Sequence, residues 1–148
     1  MTKKQATKKQ YDYDAIIIGT GPGGEGTAMN LAKSGKRVAV VEKQPKVGGG
    51  CAHWGTIPSK ALRHSVSRLI EFNSNPLFNS QAHRERMTYP DILDHASNVI
   101  SKQVNLRTSF YDRNRIHMFQ GDASFVDKHT IEIRRNDGST ERLTAQTI

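Results

Sequence analysis

The spacing of apolar residues in the first third of the chain predicts a strand, a helix and a second strand. Residues 13–19, YDAIIIG, form a short β-branched run that ends in glycine, which is typical of a strand buried on both faces of a parallel sheet. Residues 27–33 are good helix formers, and Ser34 and Gly35 provide a stop. Residues 37–42, RVAVVE, predict a second buried strand, so the three elements form a strand–helix–strand unit of about thirty residues.

The middle of the chain predicts two helices separated by a loop. After a second glycine-rich turn at residues 47–51, VGGGC, a helix begins behind Pro58. Five apolar residues in this helix recur at helical spacing and predict a face that packs inward: Ala61, Leu62, Val66, Leu69 and Ile70. Residues 73–87 are polar and broken by Pro76, which indicates a loop. Residues 90–110 then predict a long helix with four apolar residues on one side: Ile92, Ala96, Val99 and Phe110.

The last third of the chain predicts a series of short strands. Residues 116–120 indicate one strand, and the runs ASFV, TIEIR and ERLTA follow Gly121. The turn NDG at residues 136–138 lies between the last two runs and signals a β-hairpin. The whole pattern predicts an α/β fold in which a parallel sheet is followed by a β-meander.

Length and charge set the expected organisation. The 148 residues leave room for one ordinary domain. Half of the net charge of +8 comes from four lysines among residues 1–10, which contain no acidic residue. We interpret residues 1–10 as a solvated, disordered tail without chemistry, and residues 11–148 as the domain. Because only the charge of the tail points to nucleic acid, we expect no nucleic-acid partner.

The cysteine count and the lack of long apolar runs indicate the cellular compartment. Cys51 is the only cysteine, so a disulfide within this chain is impossible and a reducing compartment is favoured. No run approaches the ~20 apolar residues of a membrane span, and the lysine-rich start is not followed by the apolar run of a signal peptide. We therefore expect a cytoplasmic protein without membrane contact. The spacing of the histidines gathers no ligand set, so no metal is expected.

Gly19, Gly21 and Gly24 form the pattern G-x-G-x-x-G between the first predicted strand and helix. Gly19 permits the tight turn, and Gly21 lets the backbone approach a pyrophosphate. Gly24 and the small Ala28 let the helix pack close to the sheet, with its N-terminus facing the phosphates. Glu42 ends the second strand, where it would accept hydrogen bonds from ribose hydroxyls and repel the 2′-phosphate of NADP. The pattern predicts a dinucleotide site and leaves FAD and NAD open.

The segment VGGGCAHWGTIPSKAL resembles the second motif of the flavoprotein disulfide reductase family, which includes dihydrolipoamide dehydrogenase and mercuric reductase. Those enzymes have GGTC, four residues, a second cysteine and then IPSK. The resemblance implies that the first motif holds the adenosine half of FAD and that this segment runs under the isoalloxazine ring, so FAD is the expected cofactor. Here Cys51 fills the first redox position, but Thr56 stands in place of the second cysteine. Without a dithiol, hydride must leave for another acceptor, such as a second nicotinamide, a quinone or oxygen.

The longer run GGGCAHWGTIPSKALRHSVSRLIEFN, with GPGGEGTAMNLAKSGKRVAVVEK upstream, resembles the soluble pyridine nucleotide transhydrogenases of the same superfamily. This resemblance implies an Si-specific transhydrogenase in which NADPH reduces FAD at N5, leaves, and is replaced by NAD⁺, which takes the hydride. It also implies a homo-oligomer at full length. The alternatives are a related NAD(P)H oxidase or quinone reductase, a dihydrolipoamide dehydrogenase-like enzyme, or a non-catalytic FAD-binding fragment.

The resemblance further assigns residues to the cofactor. Lys60 is placed near flavin N5, where a cation stabilises the negative charge that hydride transfer puts on the ring. His53 and Trp54 mark the transhydrogenase-like variant and receive no role beyond packing near the flavin. The expected cofactor-binding residues are Gly19, Gly21, Gly24, Glu42, Lys43, Gly49, Gly50, Cys51, Thr56, Lys60, Gly121 and Ala123.

The resemblance also predicts that the domain is incomplete at its C-terminus. In this family a strand that ends in alanine, then threonine or cysteine, then glycine lies at the centre of the FAD domain, and we expect it beyond Ile148. The nicotinamide domain and the dimer interface would follow it. We therefore expect the 148 residues alone to lack turnover and to fold poorly or bind FAD weakly, because backbone groups and apolar faces would be left unpaired.

Overall fold

The computed structural model describes residues 11–79 and 88–148, and the predicted tail at residues 1–10 lies outside these ranges. The strands are β1 (Tyr13–Ile18), β2 (Val38–Glu42), β3 (His117–Gln120), β4 (Asp122–Asp127), β5 (Thr130–Arg134) and β6 (Thr140–Thr147). The helices are α1 (Pro22–Lys33), α2 (Gly49–His53), α3 (Thr56–Ser74), α4 (Pro76–Asn79) and α5 (Tyr89–Arg113).

The strands form one sheet in the order β3-β2-β1-β6-β5-β4. The pairs β3–β2, β2–β1 and β1–β6 are parallel, whereas β6–β5 and β5–β4 are antiparallel. Strand β6 belongs to both parts: Thr144 pairs with Thr130 of β5, and Ala145 pairs with Tyr13 of β1. The predicted α/β class, a Rossmann-like parallel sheet with a β-meander, is confirmed, and β6 already lies beside β1 on the side away from β2.

The core lies on both faces of β2. Ala39 and Val41 join a cluster with Ile16 and with apolar residues of the meander, whereas Val38 and Val40 face α1 and α5. This alternation follows from the two-residue repeat of a strand, and all five residues of β2 are buried as predicted. The prediction is only partly right for β1, because Ile18 at its end is 44% exposed.

Two helices are longer than predicted. Helix α1 begins at Pro22 and not at residue 27, because proline suits the first helical position and Gly24 lets the helix pack closely against the first turn. Helix α5 begins at Tyr89 and continues to Arg113. The side chains of Thr88 and Asp91 cap its N-terminus reciprocally, which explains the sharp start.

Helix α3 differs most from its prediction. It continues to Ser74, and Pro76 starts the short helix α4, so residues 73–79 are largely helical and not a loop. The rest of that predicted loop, residues 80–87, lies outside the described residues. The predicted inward face is not buried: Val66 is 41% and Ile70 62% exposed. The reason is that α3 packs mainly on α5, α2 and α4 and not on the sheet.

No helix in the described ranges has the length and apolar character needed to cross a membrane.

Candidate functional site

The first glycine-rich turn connects β1 to α1. Gly19 has a φ of +97°, a left-handed conformation that favours glycine. A Cβ on Gly24 would lie 2.1 Å from the carbonyl oxygen of Gly19, so α1 packs this closely only because Gly24 has no side chain. Gly21 is the N-cap of α1; among the described residues, no side chain caps the helix and nothing lies within 4 Å of the Cβ position of Gly21. The first N–H groups of α1 therefore remain available to a ligand.

Thr20, between the first two glycines, joins three segments of the site. It is 0% exposed, and its backbone N–H donates to Oε2 of Glu42 at 2.9 Å. Its hydroxyl donates to the same carboxylate oxygen and accepts a hydrogen bond from the N–H of Gly48 at 3.0 Å. One side chain thus connects the first turn, the end of β2 and the second turn. Sequence analysis missed Thr20, although a hydroxyl residue inside a buried turn that precedes an acid-terminated strand was a usable signal.

Glu42 is buried at the end of β2, 8% exposed, and both of its oxygens are bonded. Oε1 accepts the backbone N–H of Gln44 at 2.8 Å. Burial by itself raises the pKa of Glu42, but hydrogen bonds from Thr20 and Gln44 outweigh it, so the pKa lies below its ordinary value. Glu42 is therefore an ionised acceptor at neutral pH.

The second glycine-rich turn lies directly against the first. Gly48 and Gly49 have φ values of +116° and +60°, both in the left-handed region. A Cβ on Gly49 would lie 2.9 Å from Cα of Gly21, which leaves no room for a side chain between the turns. The predicted turn at residues 47–51 is too long, because α2 begins at Gly49.

Cys51, Thr56 and Lys60 follow one another along α2 and α3. The free thiol of Cys51 belongs to a half-buried residue of α2, next to the second turn. Thr56 is the first residue of α3, and Lys60 lies one turn later; both are exposed. Gly50, also in α2, is exposed, and so is Lys43 behind Glu42.

Gly121 and Ala123 lie where β3 passes into β4, beside the end of β2. The N–H of Gly121 donates to the carbonyl oxygen of Glu42 at 3.0 Å. A Cβ on Gly121 would lie 2.6 Å from Cγ2 of Ile133, and Ala123 packs against the core cluster that contains Ile133. Internal packing thus accounts for both small residues, and their contact with a cofactor stays a prediction.

His53 and Trp54 differ in their surroundings. Nε2 of His53 lies 2.9 Å from the carbonyl oxygen of Val47, so this ring braces the second turn. Trp54 is 71% exposed, and its ring centroid lies 5.6 Å from that of His53. In the part of the chain that the structure describes, no cluster of three or more His, Cys, Asp or Glu side chains could hold a metal ion.

Comparison with known proteins places this arrangement in a family. Residues 13–148 match the family model described as pyridine nucleotide-disulphide oxidoreductase. The soluble pyridine nucleotide transhydrogenase of Colwellia psychrerythraea is 64% identical over 95% of this chain and 30% of its own length. That of Erwinia tasmaniensis is 59% identical over 94% of this chain and 30% of its own length.

A solved structure agrees in fold. The Cu(II) complex of the HOCl-induced flavoprotein disulfide reductase RclA from Escherichia coli is 25% identical, with a TM-score of 0.74, over 92% of this chain and 27% of that chain. The chain thus spans about 30% of the length of the relatives that it matches. On the family match over residues 13–148 and on the geometry of the two glycine-rich turns, the chain belongs to the pyridine nucleotide-disulphide oxidoreductase family.

Proposed function

We propose that this chain forms the FAD-binding part of an oxidoreductase that transfers hydride from NADPH to NAD⁺. The observation that carries the proposal is the hydrogen-bonded connection of two glycine-rich turns to a buried carboxylate through Thr20. Such a connection holds the uncapped N-terminus of α1 and one acidic acceptor next to each other, which suits a dinucleotide. The family match and the flavoprotein disulfide reductase of similar fold support FAD as that dinucleotide.

The diphosphate would bind at the N-terminus of α1. The absence of a side chain at Gly21 allows a phosphate to approach the backbone, and the partial positive charge of the helix terminus stabilises an anion there. The second turn, at Gly49, would close the other side of the diphosphate, because it lies against Gly21.

Glu42 would bind the ribose of the adenosine half. Oε2 is occupied by Thr20, whereas Oε1 accepts one hydrogen bond, from Gln44. Because each carboxylate oxygen has two acceptor sites, Oε1 retains capacity for a ribose hydroxyl. The lowered pKa keeps Glu42 charged, so a 2′-phosphate would be repelled.

Cys51, Thr56 and Lys60 would lie on the flavin side of the site. FAD supplies hydride acceptance and donation when it is bound. Since Thr56 cannot form a disulfide, Cys51 has no partner with which to accept electrons, so the hydride goes to an acceptor other than a dithiol, for which we propose a nicotinamide. The ammonium group of Lys60 would stabilise negative charge on the reduced cofactor. Gly50 would contribute a backbone contact beside these groups, and Lys43 would contribute one beside Glu42.

The transhydrogenase relatives favour NADPH and NAD⁺ as the two substrates of the longer protein. We extend the proposal to a homo-oligomer of that longer protein in the cytoplasm. The reducing compartment that a single cysteine favours and the relatives' description as soluble support this location.

The cofactor is tested by incubating the chain with FAD, desalting it and recording the visible spectrum. We expect flavin bands at about 450 nm, the usual flavin region, which are weak in the 148 residues alone and strong in the longer protein that contains them. Because Trp54 is the only tryptophan and lies beside the second turn, quenching of its fluorescence should report the same binding. Glu42→Ala should release the flavin, whereas Glu71→Ala, on the exposed outer part of α3, should not. A colourless wild-type chain would agree with the weak binding expected of the 148 residues alone, whereas a longer protein that retains no flavin would contradict FAD binding by these residues.

The reaction is tested on the longer protein that contains this chain. We expect hydride transfer from NADPH to an NAD analogue without oxygen uptake. Oxygen consumption or quinone reduction at a comparable rate would instead identify an NAD(P)H oxidase or a quinone reductase, which Thr56 would equally permit.

A further inference from the structure

A buried ion pair connects the first turn of α1 to α5. Arg107, in the second half of α5, pairs through Nη1 with Oε2 of Glu25, which directly follows Gly24 of the first glycine-rich turn. The two side chains are only 18% and 17% exposed. The pair is therefore partly buried, and Glu25 lies immediately behind the end of α1 to which a diphosphate is proposed to bind.

Arg107 also lies beside the second glycine-rich turn. Its Cδ lies 3.6 Å from where a Cβ of Gly48 would be. Tyr111, one turn later on α5, is 0% exposed. Burial raises the pKa of the Tyr111 phenol, the negative charge of Glu25 raises it further, and the positive charge of Arg107 acts against this. Glu25, Arg107 and Tyr111 thus share one desolvated region beneath both turns.

Stability alone does not account for this arrangement. Within the described part of the chain, Nε of Arg107 and the hydroxyl of Tyr111 are buried without a hydrogen-bond partner. Buried ion pairs contribute little net stability compared with apolar residues of similar volume, and an unpartnered buried N–H adds a cost. A carboxylate in the first turn of a helix interacts favourably with the helix dipole and stabilises the helix, but it repels any anion that binds at the same terminus.

We propose that Arg107 is a positioning residue of the dinucleotide site, which neutralises Glu25 and holds the Gly48 turn so that the N-terminus of α1 can accept a diphosphate. The inference rests on the proposed binding of FAD and adds a residue that does not itself contact the cofactor. The inference has a distinctive consequence: removing the charge of Glu25 and removing the charge of Arg107 should change the affinity for FAD in opposite directions.

The test is a set of FAD titrations of this chain followed by Trp54 fluorescence, with Arg107→Met, Arg107→Lys, Glu25→Gln and the double variant Glu25→Gln/Arg107→Met. Arg107→Met should weaken binding by about tenfold, and Glu25→Gln should strengthen it by about two- to threefold. The double variant should return to within about threefold of wild type, and Arg107→Lys should lose less than Arg107→Met. Equal weakening by Glu25→Gln and Arg107→Met, without recovery in the double variant, would overturn the inference.

A second readout separates this inference from the proposed function. Hydrogen exchange of the backbone amides at residues 19–24 and 48–50, measured without FAD, should quicken in Arg107→Met and less so in Arg107→Lys. Unchanged exchange in both variants would overturn the positioning role even if FAD binds. FAD binding by the longer protein decides the proposed function separately, and if this chain binds no FAD, its exchange rates still decide whether Arg107 positions the turns.

Discussion

Two regions of the molecule differ in burial. The first is the strand–helix–strand unit with the first glycine-rich turn, and the second is helix α3, which follows the second turn. Every residue of β2 is buried, whereas no residue of α3 is. In the first region, hydrogen bonds complete the structure: Thr20 bonds Glu42 within the unit and also accepts the N–H of Gly48 in the second turn. In the second region, Val66 and Ile70 remain exposed although their spacing is that of a packed face. The part of the site around the first glycine-rich turn is therefore held by buried strands and internal hydrogen bonds. We expect helix α3, which has no buried residue, to contribute less to the free energy of unfolding.

The largest expected effect breaks the packing between the first region and α5. Tyr111 is the largest fully buried side chain and packs with Ala28, Val38 and Val40. Tyr111→Ala should lower the free energy of unfolding by about 3–5 kcal/mol, because a large cavity is left. Urea unfolding followed by Trp54 fluorescence measures this loss. Tyr111→Phe is the matched control: its hydroxyl has no partner, so we expect a change of less than about 1 kcal/mol. A large loss in Tyr111→Phe would mean that the hydroxyl is bonded.

The importance of Tyr111 also shows where prediction from sequence stops. Apolar runs predicted the bounds of β1 and β2 closely, because strands buried on both faces of a parallel sheet consist of nearly continuous apolar residues. Tyr111 lies one residue beyond the predicted end of its helix, and its burial depends on α1 and β2, which are distant in sequence. Likewise, the helical spacing of Val66 and Ile70 predicted a face but not the partner that α3 finds.

The candidate site divides in the same way. Gly19 and Gly24 of the first motif were predictable, because each has a backbone reason that is local to the turn: the left-handed φ of Gly19 and the close contact of Gly24 with Gly19. Thr20 and Arg107 were not singled out, since their partners come from other elements and side-chain hydrogen bonds leave no periodicity in the sequence. Strand β6 extends beyond its predicted end because its second half pairs with β1. The hairpin signal in the sequence does not reveal this pairing.

A somewhat smaller effect tests the close contact inside the first turn. Gly24→Ala should destabilise the chain by about 2–3 kcal/mol, because the new Cβ would clash with the carbonyl oxygen of Gly19. Gly23→Ala is the matched control in the same helix: nothing lies within 4 Å of its Cβ position, and alanine should stabilise by about 0.5–1 kcal/mol. Urea unfolding of the two variants gives the comparison. Equal stabilities would show that α1 can move away from the turn without cost.

The Thr20 connection should be worth about 2 kcal/mol. Thr20→Val keeps the volume but removes the hydroxyl, which leaves the N–H of Gly48 and one side of Glu42 without their partner. Thr20→Ser keeps the hydroxyl and should lose less than about 1 kcal/mol. Urea unfolding gives both values, and FAD titration should show Thr20→Val to bind more weakly than Thr20→Ser. Identical behaviour of the two variants would mean that the turns hold together without this hydroxyl.

The same connection predicts a pH dependence. Because the pKa of Glu42 in the folded chain lies below its ordinary value of 4.5, its contribution to stability is complete above that pH and is lost as the pH falls through the folded pKa. The difference in unfolding free energy between wild type and Glu42→Gln should therefore shrink as the pH is lowered below ~4.5. Thr20→Val should shift this loss to higher pH, since it removes a hydrogen bond that lowers the pKa. A difference that does not vary with pH would contradict the ionised state of Glu42.

The smallest expected effect compares an exposed residue of α3 with a buried residue of β1. Ile70→Ser on α3 should change the unfolding free energy by less than about 0.5 kcal/mol, because this side chain is 62% exposed and little apolar contact is lost. Ile16→Ser, at a residue of β1 that is 2% exposed, provides the contrast and should cost several kcal/mol. If Ile70→Ser were as damaging as Ile16→Ser in this chain, α3 would have to be buried in solution by a contact outside the described residues. Since Thr56 and Lys60 both lie on α3, that contact would also fix their position relative to the two turns.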